Sequence, residues 1–188
     1  MVGASPRDLR LVNVAMLDID AASLDKARAE VAKLGGRAIA YRVDVSDRAD
    51  MAQAAEQIAN ALGRVHLVFN NAGVEIGGRT LSQVSDNDCD WLIGVNIHGV
   101  LNGIRHFVPL LTRHQDGGHI VNTASLAGFH VNAEFRLGPY AMTKYAVVAL
   151  TEALEQDFKD TNIGVSLLCP GAVNTRIADS GRNRPARF

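Results

Sequence analysis

The chain is short of cysteine, proline and aromatic residues, and each shortage excludes something. Its two cysteines, Cys89 and Cys169, are far apart and match no metal-ligand spacing. They offer no disulfide framework, so a reducing, cytoplasmic setting is the simplest expectation. Proline occurs five times in 188 residues, and no Pro/Ser-rich linker divides the chain, so a single domain is expected. Neither sign of charge dominates: the net charge is −1 with histidines neutral, which leaves no global field for nucleic acid or acidic lipid. No apolar run approaches the ~20 residues that span a bilayer. The first residues, "MVGASPRDLR", lack the apolar core of a signal peptide. His98, His106 and His114 recur every eight residues without a carboxylate or cysteine at zinc-site intervals, so no metal is expected. A G-x-S-x-G elbow is also missing, which removes the usual support for a serine hydrolase.

What is present alternates. "LVNVAML" (11–17) reads as a strand, and 21–36 as a helix closed by Gly35 and Gly36. Residues 37–43 read as a strand. Residues 46–63 read as a helix with Ser46 or Asp47 as N-cap and Gly63 as its stop. "VHLVF" (65–69) is a continuous apolar strand, as expected where helices cover both faces. A long helical stretch follows, about 86–113, made irregular by its Gly and Pro residues. Then come a strand at 119–125, a helix at 140–159 and a strand at 163–169. This alternation predicts an α/β fold: a Rossmann-like parallel sheet with helices on both faces.

Several residues in this frame can carry chemistry. Tyr140 and Lys144 are four apart on a predicted helix and share one face. An ammonium beside a phenol favours the phenolate, so the pair can act as an acid/base couple; equally, both can be surface residues. Ser125 ends a strand, where a hydroxyl can hydrogen-bond a substrate oxygen or cap a turn before Gly128. Asn96 sits inside a helical stretch, where asparagine is a mediocre former. Asp18 and Asp44 each end a strand, where a carboxylate can take ribose hydroxyls or an adenine amine, or cap the next helix. Asn71, Ala72 and Gly73 are small enough for backbone to approach a ligand, or to make a tight turn.

Together these motifs resemble the short-chain dehydrogenase/reductase family. The residues that carry the resemblance are "LDID" with Asp18, "VDV" with Asp44 and Val45, "NNAG" at 70–73, "VNIHG" with Asn96, "TAS" with Ser125, Tyr140–Lys144, and "PGAVNT" at 170–175. They stand in the family's order over about residues 11–176. The resemblance implies hydride transfer between NAD(H) and a secondary alcohol or ketone. It makes Tyr140 the acid/base and Ser125 the group that orients the substrate oxygen. Lys144 would bind the nicotinamide ribose and lower the Tyr140 pKa, and Asn96 would hold a water in a proton relay. Asp18 would take the adenosine ribose hydroxyls, which favours NAD over NADP. Asp44 and Val45 would flank the adenine. Asn71, Ala72 and Gly73 would line the cleft, and Pro170, Gly171, Val173 and Thr175 would hold the nicotinamide end. It also implies a homo-oligomer through helices 86–113 and 140–159.

The match has departures. A Gly-rich phosphate loop should precede Asp18 by about 20 residues, and "MVGAS" holds only Gly3. The expected domain is therefore a truncated one over 1–176, lacking its first strand and last strand, with a loose tail at 177–188. Loss of a central strand leaves a gap or drives strand 11–17 against strand 65–69. A chain so reduced can also be a non-catalytic fragment with impaired cofactor binding, acting as a binding or oligomerising module. Ser125 and Tyr140 are 15 apart, longer than the family's usual spacing, and the insert "FHVNAEFRLG" is expected to shape the substrate pocket. Within it Phe129, His130 and Phe135 point to an apolar or aromatic substrate, although core packing explains the aromatics equally well. The stretch 90–111 together with "RNRPARF" also resembles the branch acting on aryl alcohols.

Overall fold

A computed structural model describes residues 12–132 and 134–188. The chain forms two compact units, Met1–Gly63 and Arg64–Phe188, where one domain was expected. The strand expected at 11–17 begins, as described, at Asn13. Leu11, where that strand was expected to start, and Met1 to Arg10 lie outside the described residues.

In the first unit, β1 (Asn13–Asp18) pairs in parallel with β2 (Arg37–Arg42) through α1 (Ala21–Lys33). Parallel pairing needs such a crossover, because a hairpin can only reverse the chain. The Asp20 carboxylate caps α1 by accepting from Ala22 and Ser23 N–H, both at 3.1 Å. α2 (Arg48–Leu62) is capped by Asp47, which accepts from Ala49 N–H at 2.8 Å and Asp50 N–H at 3.1 Å. It ends at Gly63, whose φ of 76° suits a residue without a Cβ. Met51, Ala54, Ala55 and Ile58 recur at helical spacing and are buried. Burying Met51 and Ile58 is worth about 1.5–3 kcal/mol each.

The second unit has the strand order β3 (Leu67–Asn70), β4 (Gly118–Thr123), β5 (Ile163–Leu168), all parallel. β1 and β2 form a two-stranded ladder and β3, β4 and β5 a three-stranded one, each within its own unit. The long helical stretch is three pieces: α3 (Asp86–Ile93), a π-helical turn (Gly94–His98) and α4 (Gly99–Thr112). α5 (Gly138–Phe158) starts two residues before the expected helix, because Pro139 fits a first helical turn where no N–H partner exists.

Registers divide the sheet into two faces. Val68, Ile120 and Val165 are partners, and Ile120 packs with Leu111, Leu154 and Ile163 in the main core. Leu67 and Phe69 point the other way, and Phe69 is 59% exposed. On the covered face, Asn122 is fully buried between two partners. It accepts from Asn70 Nδ2 at 2.8 Å and donates to Thr151 Oγ1 at 3.0 Å. A buried amide is tolerated only when so satisfied.

The tail expected to be loose is held. Residues Ile177–Asn183 form 3-10 turns. Arg184 donates to the Asp88 carboxylate at 2.5 Å and stacks 5.1 Å from the centre of the buried Trp91 ring. Arg79 takes the other Asp88 oxygen at 2.7 Å. Paired this way, a buried carboxylate keeps its charge, and the Arg184 guanidinium holds it below the usual carboxylate range.

Candidate active site

The carboxyl ends of β3, β4 and β5 lie at one edge of the sheet, so the loops that follow them emerge together. Thr123 Oγ1 donates to Asn71 Oδ1 at 3.2 Å across the first pair. Leu126 N–H donates to Pro170 O at 3.0 Å across the second.

Asn96 occupies the middle of the π turn and is 1% exposed. Such turns widen a helix locally and re-aim a side chain, and are frequent at functional sites. Here the amide reaches the loop after β3. Its Oδ1 accepts from Val74 N–H at 2.8 Å, and its Nδ2 donates to Val74 O at 2.9 Å. The second amide hydrogen goes to Thr143 Oγ1 at 2.9 Å, and Thr143 in turn donates to Tyr140 O at 2.7 Å. The side chain is thus committed to fixing loop 74 against α5. Holding a water, the role the resemblance gives it, would have to use groups other than these two hydrogens.

Lys144 is 3% exposed, one turn along α5 from Tyr140, and its Nζ lies 5.6 Å from the Tyr140 ring centre. It donates to Thr123 O at 2.9 Å. Burial pushes its pKa down to about 8, and the neighbouring Cys169 pulls the other way. Tyr140 is 6% exposed. Burial pushes its phenol up, a hydrogen bond with Ser125 pulls it down, and the Glu75 charge pushes it up again. The expectation that Lys144 lowers the Tyr140 pKa is not what this arrangement yields, because burial of the phenol outweighs the rest. Ser125 opens the short 126–128 turn, and its Oγ also accepts from Ala127 N–H at 3.1 Å. Of the two alternatives expected for Ser125, the turn cap is observed directly.

The structure brings Asn96, Ser125, Tyr140 and Lys144 together, with Gly73 beside them. A Cβ on Gly73 would stand 3.4 Å from Lys144 Nζ and 3.5 Å from Asn96 Oδ1, so a longer side chain would cover both. An ammonium has three N–H donors. One of those on Lys144 serves Thr123, and no other acceptor contacts it among the described residues. The two donors left over suit the paired hydroxyls of a nicotinamide ribose.

Asn71 and Ala72 are exposed, as are Gly171, Val173 and Thr175 in the loop after β5, and Pro170 is half-buried. Phe129, His130 and Phe135 are all exposed, which removes core packing as the explanation of these two aromatics. In the first unit, Asp18 accepts from Asp20 N–H at 2.9 Å. Asp44 accepts from Ser46 N–H at 2.9 Å and from its hydroxyl at 2.6 Å. Both carboxylates, with Val45, lie at the carboxyl end of the β1–β2 ladder, since Val43 N–H donates to Asp18 O at 2.9 Å. Thr143, Val74 and Glu75 were not legible as site residues in the sequence. Thr143 was detectable only as a hydroxyl on the Tyr140–Lys144 face, and Val74 acts through its backbone.

With this geometry in view, the comparisons are specific. The family model for short chain dehydrogenase matches residues 10–185, and the chain belongs to that family. The Cα-dehydrogenase of Sphingobium sp. strain SYK-6 is 36% identical over 176 residues, which are 93% of this chain and 57% of that protein. The crystal structure of a short chain dehydrogenase/reductase from Burkholderia phymatum in complex with NAD is 41% identical, with a TM-score of 0.88. It is matched over 93% of this chain and 62% of its own. An alcohol dehydrogenase from Thermococcus sibiricus, solved with 5-hydroxy-NADP, is 25% identical with a TM-score of 0.80 over 88% of this chain and 68% of its own. The chain thus spans under two thirds of the length of the first two; of these two solved structures, one holds NAD and the other 5-hydroxy-NADP. Among the described residues, no helix is long and apolar enough to cross a membrane, and no group of His, Cys, Asp or Glu is placed to hold a metal.

Proposed function

We propose that the chain catalyses hydride transfer between NAD(H) and a secondary alcohol or ketone, with Tyr140 as the acid/base. The observation that carries this is the gathering of Ser125, Tyr140 and Lys144 around the loop that Asn96 pins.

The nicotinamide cofactor, when bound, accepts or supplies the hydride. The chain's own residues do the rest. In oxidation, Tyr140 Oη takes the proton of the substrate hydroxyl; in reduction it returns it to the carbonyl oxygen. Ser125 Oγ, close enough to pull the Tyr140 phenol down, would hold that oxygen at the phenol. Lys144 would offer its two remaining donors to the nicotinamide ribose. Asn96 keeps the wall at Val74 in place through the cycle. Pro170, Gly171, Val173 and Thr175 would contact the nicotinamide end, with Asn71, Ala72 and Gly73 lining the cleft.

Asp18 would accept the adenosine ribose hydroxyls, and a 2′-phosphate there would meet like charge, so NAD would be preferred. Asp44 and Val45 would flank the adenine. The exposed Phe129, His130 and Phe135 would line the substrate side and favour an apolar or aromatic alcohol. Subunits would pair through α3–α4 and α5, where Met142 and Tyr145 are exposed large side chains one turn apart.

The test is NADH absorbance after mixing the chain with NAD and a panel of secondary aliphatic and aryl alcohols. Formation of NADH in proportion to enzyme is expected. Calorimetry with NAD that shows no binding, together with no turnover, would leave the family's fold without its activity.

A further inference from the structure

Glu75 is half-buried on the loop that Asn96 pins, and its carboxylate has no explained partner. Its backbone is fixed on both sides. Val74 is held at N–H and C=O by Asn96, and Glu75 N–H donates to the buried Ser180 Oγ at 3.3 Å. Ser180 is itself placed by the 177–183 turns, where its hydroxyl donates to Ile177 O. The side chain therefore leaves a rigid base in a set direction.

That direction leads towards the start of α5. The position a Cβ would take on Gly77 lies 3.7 Å from Glu75 Oε1, 3.6 Å from Phe135 O and 2.9 Å from Leu137 Cδ2. Gly78 N–H donates to Phe135 O at 3.3 Å, which ties the same loop to the insert before α5. Among the described residues the carboxylate accepts no hydrogen bond and joins no ion pair, and burial alone raises its pKa. Its charge is felt at Tyr140. A carboxylate taken partly out of water with no donor facing it is costly, and it gains most from a donor that arrives with a ligand.

We propose that Glu75 is a substrate-recognition residue: its carboxylate accepts a hydrogen bond from a donor group, hydroxyl or ammonium, next to the carbinol carbon of an otherwise apolar substrate. The reaction proposed above is assumed, and Glu75 adds the substrate class. The apolar flank comes from Phe129 and Phe135, and Glu75 supplies the single polar anchor that orients the molecule with its carbinol at Tyr140. A hydrogen bond to a charged acceptor is among the stronger kinds. A site built to receive a donor also discriminates against the analogue that lacks it.

The test uses calorimetry on the whole chain with NADH present, so that an alcohol forms a dead-end complex without turnover. Three matched ligands are compared: 1-phenylethanol, 1-phenyl-1,2-ethanediol and 2-amino-1-phenylethanol. The parent chain should bind the diol or the amino alcohol at least fivefold more tightly than 1-phenylethanol. That preference should fall at least threefold in Glu75→Gln and vanish in Glu75→Ala. Loss of the preference for the amino alcohol alone in Glu75→Gln identifies ammonium as the donor, and loss for both identifies hydroxyl as sufficient. Equal affinities in the parent, a preference that survives Glu75→Ala, or no binding of any of the three overturns the proposal. Parallel NADH formation with NAD separates the two ideas: a Glu75-dependent binding preference without turnover overturns the activity and leaves the recognition role standing.

Discussion

Asn96 holds both backbone polar groups of Val74, accepting its N–H at 2.8 Å and donating to its carbonyl at 2.9 Å. One buried side chain thereby fixes the wall of the site to the helix bearing Tyr140. Asn96→Ala strands the Val74 N–H and C=O, and the Thr143 hydroxyl keeps its bond to Tyr140 O but loses the amide donor it accepts. We expect a loss of about 2–4 kcal/mol of stability, since unsatisfied buried groups cost roughly 1–3 kcal/mol each. Urea unfolding of the two proteins measures it, and an unchanged midpoint would show that the loop finds other partners.

Gly103 makes a sharper packing case. A Cβ there would come within 1.9 Å of Asn70 Oδ1, so the Asn70 side chain must leave. Its bond to the buried Asn122 would break. Gly103→Ala should therefore destabilise the second unit despite the better helix propensity of alanine, by about 1–3 kcal/mol. A thermal melt at or above the parent's would contradict this.

Lys144 predicts a pH dependence. Its pKa falls from an ordinary 10.5 to about 8 in the folded chain, so between those values the unfolded chain binds more protons. Stability should then rise with pH across this window, by an amount on the order of 3 kcal/mol. Tyr140 acts oppositely only near and above its ordinary value of 10.0, because its folded pKa is raised. Denaturation series from pH 7 to about 9.5, a range set by those two groups, should show the rise in the parent. The rise should be absent in Lys144→Met.

Asp18 sets the expected cofactor choice. Asp18→Ala removes the like charge that a 2′-phosphate would meet, and the ratio of NADP to NAD efficiency should rise roughly tenfold or more. Steady-state kinetics with both cofactors measures it. An unchanged ratio would assign Asp18 to bracing Asp20, the α1 cap, whose N–H it already accepts.

Much of this was legible in the sequence because it was local. Strand and helix positions followed from apolar runs and from stops such as Gly63, and Asp47 was one of two foreseen caps. Tyr140 and Lys144 share a helix face by spacing alone. Non-local features were hidden. The division into two units leaves no linker signal, since the chain passes through an ordinary Gly-Arg step at 63–64. The exposure of Phe69 depends on which helices cover the sheet, which an apolar run cannot report. The anchoring of 177–188 depends on Arg184 meeting Asp88, 96 residues away. The raised Tyr140 pKa depends on burial, whereas spacing from Lys144 pointed the other way.

The central claim is that Tyr140 moves the proton. The direct measurement compares NADH formation by the parent and Tyr140→Phe with a secondary aryl alcohol, alongside calorimetric NAD affinity. We expect the rate to fall by about 10²–10⁴, the usual worth of a positioned acid/base, while NAD affinity stays within about threefold. Equal rates in the two proteins, at equal affinity, would contradict the account.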